Sequence, residues 1–209
     1  MLSVVIPLLN ERENIFPLYE RVEPVMRELG VDFELIFVDD GSTDGSAERI
    51  AALRERDSRV KLVSFSRNFG HQIALTAGMD AASGDAAVMM DADLQHPPEM
   101  IKELVIHWKA GYDIVYTLRE STADASVFKR LSSRLFYRLF QKLTGVDMPA
   151  NAADFRLVDR KVLDAFGQIR ERGRFLRGLT SWVGFKTKGI PYQAHARAHG
   201  ASKYNLRRM

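Results

Sequence analysis

The first 120 residues alternate short β-branched runs with amphipathic helical patterns, a rhythm that a parallel sheet wound with crossover helices satisfies and few other architectures do. Five apolar runs read as strands: Ser3–Leu8, Phe33–Asp39, Val60–Ser66, Ala86–Met90 and Asp113–Thr117. Each is short and nearly unbroken in apolar character, as strands covered on both faces should be. Between the first two, Ile15, Leu18, Val22, Val25 and Leu29 recur at steps of three and four. That spacing builds one apolar helix face, and Gly30 closes it. Ser46–Arg56, Gln72–Ser83 and Pro98–Lys109 fill the other crossovers, with Pro97-Pro98 at a first turn that tolerates proline. The expected class is α/β, a Rossmann-like, mainly parallel sheet flanked by helices.

Past residue 120 the alternation stops. Val127–Leu143 reads as a helix with Phe128, Leu131, Leu135, Leu139 and Leu143 in one apolar row and Arg130, Arg134, Arg138 and Lys142 beside it. The net charge of +3 conceals a division between the two parts. Residues 1–120 carry 12 Lys and Arg against 21 Asp and Glu, net −9, and residues 121–209 carry 18 against 6, net +12. The second part is therefore expected to face something anionic. No repeat or low-complexity linker separates the two, so 1–209 reads as a single domain. The absence of cysteine excludes a disulfide framework, a thiolate metal site and cysteine catalysis. There is no apolar run of about 18 residues to span a bilayer and no basic leader before Ser3, so neither an internal span nor a signal peptide is expected. The polar, basic stretch Lys203–Met209 has no helix stop or closing strand and reads as a chain that continues.

Ligands of open parallel sheets bind beyond the carboxyl ends of the strands, and the carboxylates of this chain collect there. Strand one is followed by Asn10-Glu11, strand two by Asp40-Gly41-Ser42-Thr43-Asp44 and strand four by Asp91-Ala92-Asp93-Leu94-Gln95. Ser42, Thr43 and Asp44 fit ordinary turn and capping chemistry. Asp91 and Asp93 are two carboxylates two positions apart at a buried strand's mouth, and they repel each other unless a cation sits between them. A hard divalent ion, Mg2+ or Mn2+, suits the position because it takes one or two carboxylates and completes its shell with phosphate and water. A solvated loop is the competing reading of a D-x-D taken alone. No phosphate-loop or dinucleotide fingerprint is present, and the five histidines show no metal-ligand spacing. His71 and His96 read as loop residues.

Four segments, taken together and in order, carry a resemblance. They are Val5-Ile6-Pro7-Leu8-Leu9-Asn10-Glu11, Val38-Asp39-Asp40-Gly41-Ser42-Thr43-Asp44, Ser66-Arg67-Asn68-Phe69-Gly70 and Met90-Asp91-Ala92-Asp93-Leu94-Gln95-His96-Pro97-Pro98-Glu99. From Ser3 to about Tyr204 the chain resembles inverting family 2 glycosyltransferases, and within them the polyprenyl-phosphate branch. The resemblance implies a GT-A (nucleotide-diphospho-sugar transferase) fold, with 1–120 binding the nucleotide sugar and 121–209 facing acceptor and membrane. It implies that Pro7, Leu9, Glu11, Val38 and Asp40 line the nucleotide pocket, with leucine at position 9 where the family often has tyrosine. Asp91, Ala92 and Asp93 would hold metal and diphosphate, Gln95 would lie beside the sugar, and Arg119 would reach the donor phosphates. Asp154-Phe155-Arg156-Leu157 matches the family's acidic segment near the acceptor, and Asp93 and Asp154 are the expected catalytic residues. Arg197, Gly200, Ser202, Lys203 and Tyr204 match a stretch whose cations, Arg197 and Lys203, close over phosphate.

These likenesses imply metal-dependent, inverting transfer of a sugar to an undecaprenyl or dolichyl phosphate on the cytoplasmic face of the cell membrane. The implied partners are a nucleotide-sugar donor, the lipid phosphate and an anionic membrane surface, with no nucleic acid and with a homo-oligomer left open. Transmembrane helices would follow the S-K-Y stretch in the longer members of the branch. A transferase acting on a glycan hydroxyl and an inactive nucleotide-sugar-binding module are the competing functions.

Membrane contact has a physical basis of its own. Each basic side chain near an anionic surface contributes about 1 kcal/mol, and apolar insertion adds a part that salt does not remove. A core helix with a solvated basic face is the other reading of Val127–Leu143. Changing Arg130, Arg134 and Arg138 to Glu is expected to cut flotation with anionic vesicles at low salt and lipid-acceptor turnover together. Flotation equal to wild type would place that helix inside the fold.

Overall fold

The computed structural model describes residues 1–119, 151–169, 171 and 175–193. The first strand, β1 (Leu2–Leu8), leads through a 3-10 turn at Arg12–Asn14 into helix α1 (Ile15–Glu28). There follow β2 (Phe33–Asp39), α2 (Ser46–Arg56), β3 (Val60–Ser64), α3 (His71–Ala81), β4 (Ala86–Met89), α4 (Met100–Lys109) and β5 (Ile114–Arg119). Beyond residue 150 come β6 (Ala152–Asp159), α5 (Arg160–Gln168), α6 (Leu176–Trp182) and β7 (Thr187–Tyr192).

The seven strands among the described residues share one sheet in the order β3-β2-β1-β4-β6-β5-β7. The pairs β3–β2, β2–β1 and β1–β4 are parallel, β6 runs antiparallel to both β4 and β5, and β7 pairs parallel with β5. The parallel half follows the alternation of the first 120 residues. The strands β6 and β7 are additions to the sheet where the sequence shows no alternation. Several ends also move: β3 stops at Ser64 and β4 at Met89, α3 runs from His71 to Ala81 so that His71 is its first residue and not a loop residue, and α4 begins at Met100, after a turn in which the Pro97 and Pro98 carbonyls accept from Met100 and Ile101. Arg119 is the last residue of β5, not the residue beyond it.

Helices cover both faces of the sheet. Leu2, Val4, Ile6 and Leu8 of β1 join Leu35 and Phe37 of β2 in one buried layer against Leu18 and Val22 of α1, Ile50 of α2 and Leu104 of α4. Val5, Ile36 and Val38 point the other way, onto Ala74, Leu75 and Met79 of α3 and Val162 and Phe166 of α5. The two-residue strand period explains the split, since neighbouring side chains leave opposite faces. Gly78 allows α3 to sit close: a Cβ there would lie 2.2 Å from Val5 Cγ1. The Val127–Leu143 helix and its basic row lie outside the described residues, as do Arg197 and Lys203. No helix among the described residues is long and apolar enough to cross a membrane.

The amino-terminal edge of the sheet is closed by a buried polar cluster. Ser3 Oγ donates to Glu34 Oε1 at 2.6 Å, Ser83 gives that oxygen both its N–H and its hydroxyl, and Gly84 N–H donates to Ser3 Oγ. Lys61 pairs with Glu34 Oε2. Burial alone would raise the Glu34 carboxyl, but the bonds from Lys61, Ser3 and Ser83 outweigh it and bring the pKa down to about 2. A folded-state pKa below the unfolded value means stabilisation that is full above about 4.5 and fades as pH falls toward 2. The difference in melting temperature between wild type and Glu34→Gln is therefore expected to be largest near neutral pH and to shrink between pH 4.5 and 2. A pH-independent difference would contradict this account.

Candidate active site

The carboxyl ends of β1, β2, β4, β5 and β7 all open on one edge of the sheet, and so does the amino end of the antiparallel β6. The loops above β1 and β2 are stitched together. Asn10 adopts left-handed backbone, its N–H donates to Ser42 Oγ, and its Oδ1 accepts from Thr43 N–H at 2.7 Å. Glu11 N–H reaches Ser46 Oγ, and Glu11 Oε2 accepts from Asn14 Nδ2. Asp44 accepts from Arg12 N–H and from the Ser46 N–H and hydroxyl, which is the turn and capping chemistry its sequence suggests.

Asp40 reaches in the opposite direction. Its two carboxylate oxygens accept the N–H groups of Phe69 and Gly70 at 2.7 and 2.9 Å, fastening the loop after β3. Gly41 lets the two loops meet, because a Cβ on it would fall 2.4 Å from the Arg67 carbonyl carbon. Val38 and Pro7 are buried within their strands, so only their backbone borders the edge; Leu9 and Glu11 are half-buried in the loop above β1. Arg119 is exposed at the end of β5.

The loop after β4 is tightly constrained. Asp93 Oδ1 accepts from Gln95 N–H, and Leu94 between them has a φ of 62°, the left-handed region that β-carbon-bearing residues rarely enter. Ala92 and Asp93 are buried; Asp91 and Gln95 are half-buried. Asp91 N–H donates to Nδ1 of His96, a buried ring stacked on Phe155 with centroids 4.9 Å apart. Nε2 of the same ring lies 3.8 Å from Asp91 Oδ2. Tyr192, at the end of β7, packs edge-on to both His96 and Phe155. Burial and the charges of Asp91 and Asp93 push its hydroxyl pKa up.

Asp154 arrives beside Asp91 through sheet register. Met89 pairs with Arg156 in the antiparallel β4–β6 ladder, and two further steps set Asp91 opposite Asp154. His71, the first residue of α3, bridges the two: its Nε2 is 3.6 Å from Asp91 Oδ1 and 3.6 Å from Asp154 Oδ2. Arg177 grips Asp154 in a two-pronged fork, Nε to Oδ1 and Nη2 to Oδ2, both at 2.8 Å. Arg156 adds an Nη2 contact at 3.2 Å to Oδ1 while also donating to Thr180 Oγ1 and the Ala153 carbonyl. Burial would raise the Asp154 carboxyl, but His71, Arg177 and Arg156 together hold it far below the usual carboxylate range. Burial would lower the His71 pKa, and the two carboxylates outweigh it and raise the ring. Burial lowers the Arg156 guanidinium, although Asp154 works against it.

The structure thus brings Asp91, Asp93, Gln95 and Asp154 to one edge. Sequence reasoning passed over His71, His96 and Arg177 as members of this cluster. Nothing in their spacing signals it, since His71 and Asp154 meet from elements 83 positions apart. For a divalent cation the donor set at Asp91 and Asp93 is hard oxygen from two carboxylates. Among the described residues no group of three or more His, Cys, Asp or Glu side chains forms a protein-only metal cage. Two carboxylates with an open remainder fit an ion that takes the rest of its shell from phosphate and water.

A mixed sheet with helices on both faces and acidic loops over its carboxyl edge defines a GT-A-like transferase fold. Solved structures share it. The glucosyl-3-phosphoglycerate synthase of Mycobacterium tuberculosis, crystallised with Mn2+, UDP-glucose and phosphoglyceric acid, superposes with a TM-score of 0.63 at 23% identity, over 96% of this chain and 72% of that one. The mannosyltransferase PcManGT of Pyrobaculum calidifontis, with GDP-mannose and Mn2+, gives 0.59 at 18% identity, over 92% and 55%. The chain belongs to glycosyl transferase family 2, whose family model matches residues 3–167. It is 46% identical over 207 residues to the uncharacterized glycosyltransferase YkcC of Bacillus subtilis, covering 99% of this chain and 64% of that protein. It is 38% identical over 204 residues to the bactoprenol glucosyl transferase of Shigella phage SfV, covering 98% and 66%. The chain spans less than two thirds of the length of these two relatives.

Asp40→Ala removes the acceptor for two loop N–H groups and is expected to cost about 1–3 kcal/mol in urea unfolding. Hydrogen exchange should then quicken at the Phe69 and Gly70 amides. Unchanged exchange at both would remove Asp40 from the fastening of this loop.

Proposed function

We propose that this chain transfers a glycosyl group from a nucleotide-sugar donor to a polyprenyl phosphate, with inversion and with a divalent metal at Asp91 and Asp93. The observation that carries the reading is the state of Asp154. Its carboxylate is gripped by Arg177, touched by Arg156 and held far below the usual range, so it is a poor proton acceptor. An alcohol acceptor needs a base, whereas a phosphomonoester, with a second pKa near about 6, arrives already ionised. The likeness to a bactoprenol glucosyl transferase over 98% of the chain supports the same acceptor.

In this reading Pro7, Leu9, Glu11, Val38 and Asp40 border the nucleotide, Pro7 and Val38 through backbone and Asp40 through the loop it fastens, and Gln95 lies beside the sugar. When bound, Mg2+ or Mn2+ would neutralise charge developing on the departing diphosphate. Arg119 at the end of β5 supplies a further cation on that side, and the resemblance gives the same task to Arg197 and Lys203, which lie outside the described residues. Asp93 fixes the turn that presents Asp91, and Asp154 orders the acceptor side. Inversion follows from a single in-line attack opposite the leaving group. Residues 1–209 act as one domain, residues 1–120 toward the donor and 121–209 toward the acceptor, at the cytoplasmic face of the membrane. The charge division of −9 against +12 supports that orientation toward an anionic surface.

The test is a product screen by mass spectrometry with a panel of nucleotide sugars, geranyl phosphate, geraniol and Mn2+. Sugar is expected on geranyl phosphate only, lost with chelator and restored by Mn2+ or Mg2+. Asp91→Ala and Asp93→Ala are each expected to lower turnover by about 100-fold or more, the scale of a removed electrostatic group in a transition state. Transfer to geraniol, or full turnover of Asp93→Ala in metal-free buffer, would reject the reading.

A further inference from the structure

The loop above β1 contains a side chain that gives up its ordinary task. Asn14 closes the 3-10 turn and stands at the cap position of α1, where an asparagine normally turns its side-chain oxygen onto a free N–H of the first helical turn. It makes no such bond. The side chain faces back instead: Nδ2 donates to Glu11 Oε2 at 2.6 Å, while the Asn14 N–H donates to the Glu11 carbonyl at 2.9 Å. Asn14 is 1% exposed, and its Oδ1 is buried with no hydrogen-bond partner among the described residues. Reversing the amide brings no relief, because it would set Oδ1 against the Glu11 carboxylate. A cap is forgone and an oxygen is left unsatisfied for the sake of one bond to one carboxylate. The backbone beside that carboxylate is held as well. Left-handed Asn10 turns the chain into Glu11, and Ser46 Oγ accepts from Glu11 N–H at 3.1 Å while donating to Asp44.

We infer that Asn14 is a positioning residue for nucleotide binding, setting the carboxylate of Glu11 toward the nucleoside half of the nucleotide sugar. This rests on the reading above, in which Glu11 borders the nucleotide, and adds the residue that orients it. A carboxylate only accepts hydrogen bonds and is repelled by a diphosphate, so its place against a nucleotide is at the hydroxyls and N–H groups of ribose and base. A glutamate side chain is flexible, and one that the ligand itself must order loses affinity. The bond from Asn14 orders it in advance, as the supporting residues of a binding site do. Because the same bond leaves a buried oxygen unsatisfied, it adds little to stability. Its effect falls on Glu11.

The full chain is titrated calorimetrically with UDP, GDP, ADP and CDP, each with Mn2+, and every variant is also melted. Asn14→Leu, close in size and without polar atoms, is expected to melt near or above the wild-type temperature and to bind the preferred nucleotide about tenfold more weakly. Asn14→Asp keeps the shape but turns an acceptor on Glu11, and should lose as much or more. A residue that served only the fold would move stability and affinity together. Glu11→Ala is expected to weaken the nucleotide by itself, and Asn14→Leu added to it should change affinity by less than about twofold, since the carboxylate to be oriented is gone. Wild-type affinity in Asn14→Leu beside a loss in Glu11→Ala overturns the inference and leaves Glu11 at the nucleotide. An equal loss from Asn14→Leu with and without the Glu11 carboxylate also overturns it, because the effect then passes through the fold. Should Asn14→Leu fail to fold, the same cycle run with Asn14→Asp decides between these outcomes. If Glu11→Ala binds as tightly as wild type, or wild type binds none of the four nucleotides, the reading of Glu11 has failed and the inference falls with it.

Discussion

A carboxylate at the mouth of a buried sheet must find donors, because its charge is costly where water is scarce and repels its neighbours. That requirement organises the carboxyl edge of this sheet. Asp40 takes two backbone N–H groups, Asp44 takes the start of α2 and the loop above β1, Asp93 takes Gln95, and Asp154 takes a guanidinium fork. Asp40, Asp44 and Asp154 each tie one segment to another, and Asp93 fixes the turn within its own loop. The charges of the crevice are thus satisfied by the segments that form it.

The parallel half was legible in the sequence for a simple reason. Strands buried on both faces read as apolar runs, and crossover helices read at steps of three and four. The other half hides its strands. β6 carries Asp154 and Arg156 inside the run Ala152–Asp159, so charge interrupts the pattern, although both side chains are buried and paired. β7 contains Gly189 and Pro191, residues that argue against a strand except at a sheet edge, and the edge is where β7 lies. Pairing β4 with β6 also joins segments more than 60 positions apart, and no local propensity encodes that partner.

The site shows the same division. Asp91, Asp93, Gln95 and Asp40 were readable because loops after parallel strands converge and their acidic residues are contiguous. His71 was not, because it acts from the first residue of α3 on two carboxylates that come from β4 and β6. Arg177 was not singled out either. Its significance depends on Asp154, which depends in turn on β6 being antiparallel. A parallel strand in that position would have carried the segment's amino end to the opposite edge of the sheet.

The reversal of β6 therefore does more than extend the sheet. It lays Asp154 opposite Asp91 and brings Arg156 and, through α6, Arg177 with it. Truncating one member of a buried ion cluster typically costs about 3–5 kcal/mol, because the charge left behind has no compensation. Asp154 and its arginines consequently hold one another in place whether or not a ligand is present, and the exposed side of Arg177 inherits that rigidity. A flexible surface cation would have to be ordered by its ligand, at a cost of up to about 2 kcal/mol in side-chain entropy. An arginine already fixed by a buried carboxylate, as Arg177 is by Asp154, has met that cost in folding.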